Sequence, residues 1–113
     1  MHELSITQNI LNIVTEHARR AGAQKVTAIN LVVGELTGFV DDSIQFYFDM
    51  LSPETVAAGA KLVIRRIPAK ARCRTCGEEY TWQGRNWACP KCSALGGEIL
   101  CGREFFVDSI EVT

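Results

Sequence analysis

The sequence feature that most constrains the fold is a pair of Cys-x-x-Cys motifs, at Cys73–Cys76 and Cys89–Cys92. The two residues between paired cysteines let the chain turn back in a tight knuckle, so that both sulfurs face one point. Two knuckles complete a tetrahedral site with metal–sulfur distances of about 2.3 Å. Pro90 fixes its own φ and Gly77 can adopt a positive φ, which suits such turns. We therefore predict structural zinc, because four thiolates leave no open coordination position.

Three alternatives to zinc compete for these cysteines: two disulfides, a rubredoxin-like iron site and a redox Cys-x-x-Cys. Disulfides need an oxidising compartment. The chain opens with His2 and Glu3 rather than with a basic patch and an apolar run, so we expect no signal peptide and a cytoplasmic location. Tetrahedral sulfur ligation suits iron as well as zinc. The fifth cysteine, Cys101, is expected as a small buried side chain, with a reactive thiol or an intermolecular link as alternatives.

Length and charge limit the partners. The 113 residues suffice for one ordinary domain, or for a small domain plus a metal-stapled module. A net charge of −1 gives no general attraction to nucleic acid or anionic lipid. No apolar run approaches the roughly 18 residues of a membrane span. We expect neither nucleic acid nor membrane among the partners.

Apolar periodicity predicts alternating helices and strands. A broad apolar stripe in residues 4–21 predicts a helix that begins near Ser5, which leaves residues 1–4 as a short free arm. A second helix is expected to begin at a cap provided by Asp41 or Asp42 and to end before Pro53. β-Branched or alternating runs predict strands at residues 26–33, 61–67, 98–101 and 104–112.

This order predicts an α+β fold: a small sheet of about three strands with two helices on one face. A zinc-ribbon-like module is inserted between the last two strands, which we expect to be neighbours in one sheet. The domain limits are residues 1–67 and 98–113 for the α+β domain and 68–97 for the module. Residues 68–71 and Gly96-Gly97 are the expected hinges. The apolar second helix and the strand edges are compatible with a homodimer, or a swapped one.

The opening residues Met1, His2 and Glu3 form a possible second metal site. The α-amine, the His2 backbone nitrogen and its Nδ1 close two chelate rings, and the Glu3 nitrogen or carboxylate can complete a tetragonal set suited to Ni(II) or Cu(II). The amine has a reference pKa of about 7.7–8.0 and the imidazole one of about 6.5, so both can lose their proton and bind a metal around neutral pH. The alternative is a solvated tail residue, the commoner fate of a histidine at this position.

Three stretches are together similar to the hydrogenase nickel-incorporation proteins, the HypA/HybF family: Met1-His2-Glu3-Leu4-Ser5, Val33-Gly34-Glu35-Leu36 and the paired cysteines. The resemblance spans essentially the whole chain. It implies a cytoplasmic metallochaperone rather than an enzyme, with Ni(II) bound at Met1, His2 and Glu3 and structural Zn(II) at Cys73, Cys76, Cys89 and Cys92. It also implies a HypB-like GTPase partner and delivery of nickel to the large subunit of nickel–iron hydrogenase, with urease served by some members.

The chain departs from some members of that family, which carry a histidine beside a zinc cysteine. Here Gly77 and Ser93 follow the two motifs, so a switch of zinc ligands is not expected. His17 is expected as a partly exposed helix residue. Asp41 and Asp42 are helix caps or outer partners of the nickel site, and Glu35 is a loop carboxylate facing the arm or a partner.

Two further classes of function compete with a carrier. Basic residues around the module and two tryptophans fit a nucleic-acid-binding zinc ribbon; these residues are Arg65, Arg66, Lys70, Arg72, Arg74, Arg85, Trp82 and Trp87. Iron in the sulfur site would instead make an electron carrier. No nucleophile–base pair with a recognisable spacing indicates an enzyme.

Overall fold

The computed structural model describes residues 3–82 and 87–113, and within these it contains two helices, one 3-10 turn and six strands. In chain order they are α1 Glu3–Arg20, β1 Val26–Gly34, the turn Glu35–Thr37, α2 Asp41–Leu51, β2 Lys61–Ile67, β3 Lys70–Cys73, β4 Glu79–Thr81, β5 Gly97–Cys101 and β6 Phe105–Val112. None of the described helices is both long and apolar enough to span a membrane.

The first sheet has the order β2-β1-β6. β1 pairs in parallel with β2 and antiparallel with β6, and α2 lies in the crossover that a parallel pair requires. β1 is buried along almost its whole length, so it takes the centre, while the alternating strands β2 and β6 take the edges. The expectation that the strands on either side of the zinc module are neighbours is wrong, since β1 lies between β2, which precedes the module, and β6, the strand of this sheet that follows it.

The second sheet has the order β4-β3-β5 and carries the cysteine motifs. We expected residues 98–101 in the first sheet, but β5 pairs antiparallel with β3 along Lys70–Cys73. This pairing satisfies the second edge of β3, whose first edge is already bonded to β4. The strand itself is confirmed and its membership of the first sheet is wrong; the division of the chain into domains stays a prediction.

Both helices pack on one face of the first sheet, as predicted. Ile29, Leu31 and Val33 alternate along β1 and are at most 1% exposed. They share one core with Val14 of α1 and Phe48 of α2. Burial of each large apolar side chain contributes about 1.5–3 kcal/mol, so this shared face orders both helices.

The helix starts differ from those predicted. α1 begins at Glu3 rather than near Ser5, so Glu3 and Leu4 are helical and not part of a free arm. The buried Thr7 hydroxyl donates to the Glu3 carbonyl at 2.6 Å, which ties down this first turn. The N-cap of α2 is Val40, with no side-chain cap bond. Asp41 and Asp42 instead lie in the first turn, where their charge favours the positive end of the helix dipole.

A tight backbone crossing joins the two sheets. The Leu36 N–H donates to the Gly102 carbonyl and the Gly34 N–H to the Glu104 carbonyl, both at 2.7 Å. A Cβ at Gly34 would lie 2.1 Å from the Gly102 oxygen, so only glycine fits. Gly102 in turn lies against Ala69, which connects β2 to β3. The two chain crossings between the sheets therefore lie against each other, and the crossing at Gly102 is hydrogen-bonded to the turn that follows β1.

Candidate metal centre

The four-cysteine cluster consists of Cys73, Cys76, Cys89 and Cys92, whose sulfurs all lie within 4.8 Å of one another. The sulfurs of Cys73 and Cys92 are 3.5 Å apart, and those of Cys76 and Cys89 are 3.6 Å apart. A tetrahedral zinc with bonds of about 2.3 Å separates its sulfurs by about 3.8 Å. The cluster therefore fits one tetrahedral ion, as the sequence predicts.

The backbone of the two knuckles explains this convergence. In the first, the Cys73 N–H donates to the Glu78 carbonyl at 2.8 Å, and the Gly77 N–H donates back to the Cys73 carbonyl at 2.9 Å. The second knuckle repeats both bonds, from Cys89 at 2.9 Å and from Ser93 at 2.8 Å. The φ of Gly77 is 79°, which confirms its predicted positive value. The turn hydrogen bonds of each motif thus direct both of its sulfurs to one point.

The pKa values of the clustered thiols favour the binding of a cation. The backbone N–H groups of Cys76 and Thr75 donate to the Cys73 sulfur and lower the pKa of its thiol to about 6. The Ala94 N–H lowers the pKa of Cys92, but the neighbouring Cys73 sulfur and burial together outweigh it and raise that pKa to about 12. The Cys73 thiol therefore loses its proton readily, whereas the neighbouring Cys92 thiol keeps its proton. A divalent ion bound between the two sulfurs would stabilise the thiolate form of both.

The other pair of sulfurs also contains a thiol with a raised pKa. The Glu78 N–H lowers the pKa of Cys76, yet burial and the Cys89 thiol raise it on balance above its ordinary value. All five cysteines of the chain are unbonded, so the disulfide alternative finds no support. Cys76 and Cys92 are exposed, while Cys73 and Cys89 are buried. Cys101 is half-buried, and its thiol lies 3.4 Å from the Pro68 carbonyl at the crossing between the sheets.

Of the three predicted nickel ligands, Glu3 lies at the start of α1. Met1 and His2 fall outside the described residues, and Glu3 is the first residue of the helix, with 9% of its surface exposed. The amide nitrogens of a first helical turn have no carbonyl partners within the helix. The assignment of nickel to Met1, His2 and Glu3 remains a prediction.

A charged cluster that the sequence did not reveal lies around Arg66. Its guanidinium donates to Glu35 at 3.1 Å, to Asp41 at 3.0 Å and to the Phe39 carbonyl at 2.9 Å. The bond from Arg66 lowers the pKa of Glu35. This cluster borders an open cavity of about 330 Å³ at the start of α2, lined by Glu35, Phe39, Val40, Asp41, Asp42 and Arg66.

Two of the six basic residues of the alternative nucleic-acid surface are paired with carboxylates. Arg66 bridges two carboxylates, and Arg72 lies within ion-pair distance of Glu79 and Glu98. Arg85 falls outside the described residues. The rings of Trp82 and Trp87 stack on each other, 4.9 Å apart and nearly parallel, so each has one ring face occupied.

Comparison with known families gives one result over the whole chain. Residues 1–112 match the family model described as HypA, hydrogenase/urease nickel incorporation, metallochaperone. A hydrogenase maturation factor HypA of Dehalococcoides mccartyi is 47% identical over 112 residues, which cover 99% of this chain and 94% of that protein. The corresponding factor of Caldanaerobacter subterraneus is 42% identical over 113 residues, with 99% of both chains covered.

Solved structures resemble the fold. The solution structure of the nickel metallochaperone HypA from Helicobacter pylori matches with a TM-score of 0.66 and 22% identity, covering 99% of this chain and 97% of that one. A second solution structure of a HypA protein matches with a TM-score of 0.72 and 23% identity, covering 100% and 97%. At this identity the likeness concerns the fold alone.

Proposed function

Because the chain belongs to the HypA family of nickel-incorporation metallochaperones for hydrogenase maturation, we propose that it carries Ni(II) at Met1, His2 and Glu3. It delivers the ion, with a HypB-like GTPase partner, to the large subunit of nickel–iron hydrogenase. Urease is the second acceptor to test. The protein acts as a cytoplasmic carrier and not as an enzyme.

The observation that carries this proposal is the position of Glu3, the last residue of the Met-His-Glu sequence, at the start of α1. Helix bonds leave the first amide nitrogens of α1 without partners, so a metal can take the Glu3 nitrogen without breaking the helix. The Met1 amine, the His2 nitrogen and the His2 Nδ1 then complete a planar nitrogen set that suits Ni(II). His2 is the anchoring side chain.

Zinc at Cys73, Cys76, Cys89 and Cys92 supplies a cross-link and no reactive position. The four cysteines join β3 to the second knuckle and so hold the second sheet in shape. Nickel, by contrast, must leave the protein. Ligands at a chain end can be exchanged one at a time for those of an acceptor, so that no step requires an unliganded ion.

Nickel titration of the untagged, zinc-loaded protein tests the proposal. His2→Ala should abolish nickel binding and leave the zinc content and the far-UV circular dichroism unchanged. The matched control is His17→Ala, because His17 is the other histidine of the chain and is exposed on α1. His17→Ala should bind nickel like the parent protein.

Two outcomes contradict the assignment. If His2→Ala bound nickel as tightly as the parent, His2 would not be the anchor. If acetylation of the α-amine left the affinity unchanged, the Met1 nitrogen would not belong to the ligand set. Metal analysis of the protein as purified, before any zinc is added, decides between zinc and iron in the sulfur site, and sedimentation tests the homodimer.

A further inference from the structure

Helix α2 turns two large apolar side chains away from the core. Ile44 and Phe48 fill the core on one side and are at most 1% exposed. On the opposite side Phe46 is 62% exposed and Met50 is 53% exposed. They lie one helical turn apart and form one surface. The fold does not need this surface, since α2 is already anchored by its core face.

Carboxylates border this apolar pair. Asp42 lies one turn before Phe46, and Asp49 lies beside both apolar residues; we call Asp42, Phe46, Asp49 and Met50 the outer face of α2. Residues 41–54 contain four acidic residues and no lysine or arginine. Of these four, Asp41 is paired with Arg66; no lysine or arginine in residues 3–82 or 87–113 pairs with the others.

We propose that the outer face of α2 is a docking surface for a basic amphipathic segment of a partner protein. An apolar stripe of such a segment covers Phe46 and Met50, while lysine or arginine at its margin meets Asp42 and Asp49. The Phe46 ring makes an edge-on contact with Tyr47, 5.2 Å between ring centres, which favours one orientation of this anchor. The flexible Met50 adapts to the partner side chain.

Charge distinguishes this occupant from two others. In a two-fold pairing with a second copy, the outer face would meet itself, and Asp42 and Asp49 would face like charges. An anionic membrane surface would be repelled by the same carboxylates. Only a partner with positive charge beside an apolar stripe satisfies both features. The proposal requires no nickel, so its failure leaves the carrier function untouched.

The test uses full-length, zinc-loaded protein and a fluorescent synthetic helix of about 18 residues, with leucine along one face and lysine on the other. A matched peptide carries glutamate in place of lysine. Fluorescence anisotropy should show binding of the lysine peptide and not of the glutamate peptide. Binding should weaken at about 0.5 M salt, where charge attraction is screened.

Two double variants locate the binding. Phe46→Ser with Met50→Ser should weaken the lysine peptide at least about tenfold, the loss expected when central apolar anchors are removed. Asp42→Asn with Asp49→Asn should weaken it at low salt and leave the affinity at high salt nearly unchanged. The matched control is Leu95→Ser, because Leu95 is 82% exposed and lies in the second knuckle region; it should bind like the parent.

Several results would overturn the proposal. These are no binding of the lysine peptide, equal binding of the glutamate peptide, or equal loss of binding in Leu95→Ser. Unchanged affinity in the Phe46 and Met50 variant, which retains its core residues, would also do so. If the parent self-associated in sedimentation and this variant did not, the occupant would be a second copy instead.

Discussion

Gly77 and Ser93 occupy the same place in the two knuckles, yet only one of them is a glycine. Each follows the first cysteine of its motif by the same number of residues and donates its N–H back to that cysteine's carbonyl. The φ of Gly77 is 79° and that of Ser93 is 64°. A side chain in this left-handed region costs about 1–2 kcal/mol, whereas glycine adopts it freely. The second knuckle therefore carries strain that the first lacks.

Ser93→Gly should raise the free energy of unfolding of the zinc-loaded protein by about 0.5–1 kcal/mol, because relief of strain exceeds the entropy that glycine adds to the unfolded chain. The reverse change, Gly77→Ser, should lower it by about 1 kcal/mol. A Cβ at Gly77 would meet nothing within 4 Å, so crowding cannot cause the loss. Urea denaturation at saturating zinc measures the free energy of unfolding of both variants and of the parent. Equal stability of all three proteins would contradict the strain at Ser93.

The two residues also show what residue type reveals in advance. Gly77 was predicted to take a positive φ because glycine is the usual residue there, and the structure confirms it. Serine gives no such indication of a positive φ. Only alignment of the two Cys-x-x-Cys motifs by their spacing could have predicted the positive φ of Ser93. Arg66 is similar, since its sequence neighbours suggested a basic patch while its three partners come from 25 to 31 residues away.

At the scale of elements, Arg66 fastens three of them together. It lies on β2 and binds Glu35 in the 3-10 turn and Asp41 at the start of α2. Its side chain is 28% exposed, while both carboxylates are about half exposed, at 49% and 48%. The Phe39 carbonyl adds a third bond. The turn after β1, which also contacts Gly102 of the crossing, is thereby held in place.

Arg66→Met should lower the free energy of unfolding at neutral pH by about 1–2 kcal/mol, a modest loss because solvent screens the carboxylates. Glu35 has a lowered pKa in the folded state, so the stability from this pair is present above its ordinary pKa and disappears as pH falls through the folded value. The difference between parent and variant should therefore shrink as the pH falls below the ordinary pKa of a glutamate.

Arg19→Met is the matched control for Arg66. Arg19 bonds to Glu16 at 2.6 Å, but its side chain is 70% exposed, and exposed pairs contribute little. Urea denaturation of both variants at neutral and acidic pH makes the comparison. A loss in Arg19→Met as large as that in Arg66→Met, or a loss in Arg66→Met that persists in acid, would rule out the bridging role of Arg66.

The elements themselves were largely predictable, and their pairing was less so. β2 begins and ends where the alternating run predicted, at Lys61 and Ile67, because period-two patterns report burial directly. The central place of β1 and the membership of β5 depend on which strand edges remain free, and periodicity does not encode that. The largely apolar character of β1, interrupted only by Thr27 and Asn30, was the one indication that it lies between two neighbours.

At the scale of the whole molecule, two cores of unequal size lie along an elongated body of 55 × 24 × 17 Å. Among the described residues the first core contains twelve buried apolar residues, of which half belong to α1 and α2. The second consists of Ala71, Cys73, Tyr80 and Cys89, so half of its buried members are metal ligands. Such a module cannot order itself by apolar burial alone, and zinc must supply the remainder.

Zinc removal should therefore unfold the second sheet and leave the first intact. Both tryptophans of the chain, Trp82 and Trp87, lie in the module, so their fluorescence reports on it alone. A chelator at neutral pH should shift this emission to that of exposed indole, while amide hydrogens of β1 stay protected from exchange. Zinc should likewise be lost in acid, because protons compete with the ion for the four thiolates.

The direction of this pH effect follows from the protons that compete with zinc. Cys76 and Cys92 have raised pKa values in the metal-free cluster, so both thiols must lose a proton when zinc binds. The zinc affinity therefore rises with pH, up to the pH at which both thiols are already deprotonated without metal. Competition with a coloured chelator at several pH values measures this slope. Re-addition of zinc at neutral pH is the control, and it should restore the tryptophan emission.

If β1 lost its protection together with the module, the two cores would form one cooperative unit through the Gly34–Gly102 crossing. If neither changed, the second sheet would be stable without metal, and a structural role for zinc would be wrong.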